Sequence, residues 1–134
     1  MEKEDEILDI PLKNDERDKK IEYLKSFNFD DFKIHNYFKR SNNIKHNVSL
    51  EEVKKIFYQF DKIVAVFKRP GNSGFKYSFI YKLKENESFY LCFLLDENPP
   101  IFFNAYPDYR KVNKSIRHKI QSWAVKENAK NKHS

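Results

Sequence analysis

Apolar residues recur along this chain with two different periods. Leu50, Val53, Ile56, Phe57 and Phe60 return every three or four positions, with Glu51, Lys54 and Lys55 between them. That spacing predicts an amphipathic helix with one buried face. Its start is marked by Val48-Ser49-Leu50-Glu51-Glu52-Val53. Ser49 is placed to accept from the Glu52 amide while the Glu52 carboxylate reaches back to the Ser49 amide, and Val48 and Val53 supply the hydrophobic staple.

After Asp61-Lys62-Ile63 the period becomes 2. Ile63 to Lys68 is rich in β-forming residues, and Pro70-Gly71-Asn72-Ser73-Gly74 reads as a turn. Phe75, Tyr77, Phe79, Tyr81 and Leu83 then alternate with Lys76, Ser78, Ile80 and Lys82, the pattern of a half-buried antiparallel strand. Lys84 to Ser88 makes a second turn. Phe89 to Leu95 is almost wholly apolar, as expected of a central strand covered on both faces. Asp96 to Pro100 turns again before a last strand, Ile101 to Tyr106. Connections this short allow hairpins and leave no room for crossover helices, so the four strands should form an antiparallel meander in chain order.

The flanks are helical. Asp15 to Phe27 predicts a short helix with Ile21 and Leu24 inward, followed by the apolar connection Phe27, Phe29 and Phe32. Asn113 to Glu127 places Ile116, Ile120 and Trp123 on one face, with Lys114, Arg117, His118 and Lys119 largely around it. The expected architecture is α+β: N-terminal helices packed on a four-stranded antiparallel curved meander sheet, plus a C-terminal helix. A length of 134 residues suits one domain. Residues 15–127 are expected to form it, between an acidic mobile leader (1–14, interrupted by Pro11) and a basic tail (128–134).

Composition narrows the chemistry. Thirteen Phe and eight Tyr make the core aromatic. With only two Gly there is no glycine-rich phosphate loop, which excludes P-loop and dinucleotide-binding enzymes, and with them a nucleotide cofactor. The single cysteine, Cys92, lies in the most apolar strand and reads as inert core. The N-terminus is acidic rather than basic-then-apolar, and no apolar run nears the roughly 20 residues that span a bilayer. A cytoplasmic protein with no membrane partner is expected. The net charge of +6 is unevenly spread. Residues 1–18 hold eight acids against three bases, a net of −5, so the rest of the chain carries +11. A basic body suggests a polyanion-binding face.

None of the four histidines (His35, His46, His118, His133) lies in a metal-ligand motif, and no Gly-x-Ser-x-Gly elbow is present. Neither a metal nor any other cofactor is expected. What remains is basic and aromatic. One cluster is His35, Tyr37, Lys39, Arg40, Lys45 and His46, before the capped helix. The other is Asn104-Ala105-Tyr106-Pro107-Asp108-Tyr109-Arg110-Lys111, at the end of the last strand. Metal-free RNA cleavage requires a base for the 2′-hydroxyl proton, cations for the phosphorane charge and an acid for the leaving oxygen. His, Lys, Arg and Tyr can fill those roles. Arg adds bidentate geometry on phosphate, and Tyr can stack on a splayed base.

The order of elements adds a resemblance. His35, Arg40, a polar turn, "HNVSLEEVKKIF", a meander and then "FFNAYPDYRK" together resemble the small RelE-like toxin domains, grouped with barnase-like and colicin-like ribonucleases. The likeness runs over roughly residues 33–112. It implies helices on a curved antiparallel sheet and a metal-independent cytoplasmic endoribonuclease, often paired with a small antitoxin protein. The family His then falls on His35, and its basic partner on Lys39 or Arg40. Lys39 occupies the spacing at which the family carries its Arg. The strand-end residues fall on Asn104-Ala105-Tyr106, with Asn104 where the family has Thr.

These readings assign His35 as general acid/base, Arg40 as phosphorane stabiliser and Tyr106 as a substrate-orienting or stacking residue. Tyr37, Lys39, Lys45, His46, Asn104, Tyr109, Arg110 and Lys111 are the expected RNA contacts. Two alternatives remain: a non-catalytic nucleic-acid-binding module of the same fold, and a protein-interaction domain whose acidic leader docks a basic surface.

Overall fold

The computed structural model describes residues 9–39, 48–71 and 74–132. Within them lie three helices, α1 (Asn14–Lys25), α2 (Leu50–Phe57) and α3 (Val112–Lys132). They accompany six strands: β1 (Ile10–Pro11), β2 (Lys33–Ile34), β3 (Ile63–Gly71), β4 (Gly74–Lys84), β5 (Glu87–Leu94) and β6 (Ile101–Asp108). The sheet is open, in the order β1-β3-β4-β5-β6-β2. The α+β class holds, and β3 to β6 form the expected antiparallel meander. They are, however, the middle of a six-stranded mixed sheet. β1 adds antiparallel to β3, and β2 adds parallel to β6. Each added strand has only two residues, too few to show a period, so only the pairing reveals them.

α2 forms for the local reasons written in its sequence. Ser49 Oγ accepts from the Glu52 amide at 3.1 Å, satisfying one of the amides a helix start leaves open. Val48 is 2% exposed, and Val53, Ile56 and Phe57 are buried. Leu50, expected on that buried face, is instead 41% exposed, because it is the first residue of the helix and lies beyond the edge of the packing.

The two faces of the sheet carry different layers. Phe79, Tyr81, Leu91, Phe93 and Phe102 point to the face covered by α1 and α2, where Leu24, Val53 and Phe57 meet them. Ala65, Phe67, Ile80, Tyr90 and Tyr106 point to the other face, where Ile116 of α3 packs. β4 is therefore covered on both faces from Tyr77 to Tyr81, not half-buried as its alternation suggests. Long-range packing of α3 supplies the second cover.

The first residues belong to this fold as well. Ile10 and Pro11, placed by sequence in a mobile leader, pair with Lys68 and Phe67, and Leu12 is 5% exposed. Residues 1–8 of the leader lie outside the described residues. Most of the basic tail continues α3 as far as Lys132. Among the described residues no helix is long and apolar enough to cross a membrane.

Candidate nucleic-acid interface

The parallel pairing of β2 with β6 sets the position of His35. Ile34 pairs with Phe102, and the next amide, that of His35, donates to the Phe102 carbonyl at 2.9 Å. β6 is irregular at this point: Phe93 faces Phe102 while Cys92 faces Asn104, so Phe103 is the extra residue of a bulge. Its ring gathers three neighbours. Tyr37 lies parallel to it at 5.1 Å and 10°, His35 is tilted against it at 4.7 Å, and Lys76 Nζ of β4 lies 4.9 Å from its centroid. The Tyr37 amide donates to His35 Nδ1 at 2.9 Å, which assigns the ring proton of the neutral imidazole to Nε2. Phe38 is 4% exposed against Phe102 and anchors this segment to the core.

At the other end of β6 lies a basic cleft of about 670 Å³. Arg110, Lys111, Lys114, Ser115, Arg117, His118 and Gln121 line it, and none of these is acidic. Spacings of three and four put Lys114, Arg117, His118 and Gln121 on one stripe of α3. The start of α3 adds the positive end of its dipole, while the Val112 amide is satisfied by the Glu85 carbonyl at 3.1 Å. Arg110 is held by Asp108, Nε on Oδ1 at 3.0 Å and Nη2 on Oδ2 at 2.8 Å. The hydrogen bond from Arg110 keeps the Asp108 carboxyl below its ordinary value, against a smaller upward push from burial. Ser115 is 8% exposed, and its hydroxyl has no partner among the described residues.

Between cleft and bulge, Tyr106 stacks on Tyr90 at 4.8 Å and 16°. Burial pushes the Tyr106 phenol far above its ordinary value; burial, with Asp108 nearby, pushes that of Tyr90 up to about 12. Tyr106 is thus a half-buried packing residue whose phenol stays protonated at neutral pH. His35 and Tyr106 serve the same side of β6, but Tyr106 is three residues beyond Phe103, about 10 Å along the strand. His35 packs on Phe103 and Tyr106 on Tyr90. Arg40, the third member of the expected catalytic set, lies outside the described residues, as do Lys45 and His46.

Of the other expected contacts, Lys39, Tyr109, Arg110 and Lys111 are exposed, Tyr109 at 70%. Asn104 is not: it is 8% exposed, and its Oδ1 has no partner among the described residues. It sits beside Cys92, whose sulfur is 3.3 Å from Ser78 Oγ, in a buried polar row across β6, β5 and β4. Burial pushes the Cys92 thiol up, so the residue is unreactive. Among the described residues no group of three or more His, Cys, Asp or Glu is placed to hold a metal.

Lys76, Phe103, Lys114, Arg117, His118 and Gln121 were not expected in the interface. For the last four the signal was present as a basic stripe at helical spacing. For Lys76 and Phe103 no local signal exists, since only the bulge and the β4–β5–β6 order bring them together. No protein-family model, curated protein or solved structure was found to match this chain.

Proposed function

We propose that this domain binds RNA, with the backbone phosphates lying in the cleft on α3. The observation that carries this reading is the lining of the cleft: Arg110, Lys111, Lys114 and Arg117 converge with His118, and among the described lining residues none is acidic, Asp108 outside the lining being paired with Arg110. A phosphate chain is the ligand such a surface suits, because each neutralised phosphate releases condensed counterions. The resemblance of the sequence to RelE-like domains supports RNA over another polyanion. The test is the affinity for a fluorescent single-stranded RNA across a salt series. Lys114→Ala combined with Arg117→Ala should weaken binding and flatten the log–log salt slope by about 1.4, at about 0.7 per lost contact. Unchanged affinity and slope would overturn the reading.

Metal-independent cleavage of the bound strand is a second reading, favoured by the state of His35. Its imidazole is half-buried, with Nδ1 engaged by the Tyr37 amide. In such cleavage the 2′-oxygen bonds to the adjacent phosphorus as a base takes its proton. The 5′-oxygen leaves with a proton from an acid, and a cyclic phosphate remains. Incubation of labelled RNA in EDTA reads this out. Cleavage should survive the chelator and fall about 10²- to 10⁴-fold in His35→Ala at saturating RNA. Intact RNA after prolonged incubation leaves binding alone.

A further inference from the structure

We infer that the ring of Tyr37 is a seat for one unpaired nucleobase of the strand whose phosphates lie in the α3 cleft. The inference rests on the RNA-binding reading and narrows its ligand to single-stranded RNA.

Tyr37 is 40% exposed, yet its ring is already oriented. Phe103 lies parallel to it and covers one face, so the exposure falls on the other face and the edge. The backbone beneath is held by the hydrogen bond that the Tyr37 amide donates to His35 Nδ1, and the next residue, Phe38, is buried against Phe102. A base stacking on Tyr37 would therefore extend an existing stack without freezing a free side chain, which removes part of the cost of binding. Tyr23 and Tyr58, also exposed, lack this arrangement. Tyr23 meets Phe27 edge-on at 89°, and Tyr58 meets its aromatic neighbours edge-on.

Charge favours a nucleotide over a neutral aromatic. Lys76 Nζ lies 4.9 Å from the Phe103 centroid, so the stack on which the base would sit carries a cation, which suits an anionic ligand. Position favours the same strand that fills the cleft. Phe103 and Asp108, the residue that holds Arg110, are five residues apart on one strand, about 17 Å. Both ends belong to one side of the sheet. A base inside a duplex already has both faces covered, so only an unpaired base can take the seat. Every base has a π face, so the seat should tolerate any base identity.

The test compares hexauridylate with an abasic ribose-phosphate hexamer of equal charge, by fluorescence anisotropy at one salt concentration. Stacking of a single base should make hexauridylate bind about 5- to 150-fold tighter. Tyr37→Ala should erase most of that ratio and leave abasic binding unchanged, while Tyr37→Phe, which keeps the ring, should preserve it. Equal affinities in the wild-type protein, or an undiminished ratio in Tyr37→Ala, would overturn the base seat while the cleft reading stands. Failure of both hexamers to bind would overturn both.

Discussion

Asp9 and Lys119 are 110 residues apart in the chain, yet one carboxylate oxygen of Asp9 accepts from Lys119 Nζ while the other accepts from Arg69 Nε. The group ties β1 to the sheet and the sheet to α3. Burial pushes the Asp9 carboxyl up, but Lys119 and Arg69 together outweigh it and hold the group below its ordinary value.

Removing that carboxylate should therefore loosen the attachment of α3. Asp9→Ala leaves Lys119 and Arg69 without their shared partner, and the expected cost is about 1–3 kcal/mol. The sign of the pH effect follows from the direction of the shift. A carboxyl that titrates lower in the folded chain stabilises fully above the unfolded value of about 3.9, and that contribution is lost as pH falls through the folded value. Urea unfolding at neutral pH and in acid reads both effects: Asp9→Asn should be less stable than wild type at pH 7, and the difference should shrink in acid.

Phe93 is the centre of the aromatic core, with Phe32, Phe57, Phe79 and Phe102 around it at ring distances of 4.9 to 6.0 Å. It is fully buried, so Phe93→Ala opens a cavity that its neighbours can fill only in part. A loss of about 3–5 kcal/mol is expected. Chemical denaturation gives the number, and a loss below 1 kcal/mol would show that the site collapses freely.

Tyr81 is also fully buried, and its hydroxyl donates to the Phe57 carbonyl at 2.9 Å, joining β4 to the end of α2. Burial pushes its phenol far above the ordinary value. Tyr81→Phe should cost about 1–2 kcal/mol, because the Phe57 carbonyl is left buried without that donor. In an ultraviolet titration of the folded protein Tyr81 should stay protonated after the exposed tyrosines have ionised.

Arg110 enters the cleft already neutralised by Asp108, whose side chain is 10% exposed while that of Arg110 is 73% exposed. Asp108→Asn should free the guanidinium for phosphate. RNA affinity should rise several-fold at low salt, and the salt slope should steepen by about 0.7, the value of one added contact. If affinity falls instead, the pair positions Arg110 rather than masking it.

What was legible in the sequence is what neighbouring residues decide among themselves. Ser49 caps α2 across three residues, Val53, Ile56 and Phe57 share a face by helical period, and Phe79 and Tyr81 share one by strand period. Short turns then force β3 to β6 into a meander. The tertiary structure alone decided features that depend on pairing across long separations. β1 and β2 are strands only because Phe67 and Phe102 lie beside them, since two residues carry no pattern. Asn104 looked like a surface contact in "FFNAYPDYRK", but the bulge at Phe103 turns it into the buried row with Cys92 and lifts Phe103 toward Tyr37 and Lys76. The charge of Lys114 and Arg117 and their place on one stripe of α3 are written in the chain; which face of the sheet that helix covers, through Ile116, is decided by packing.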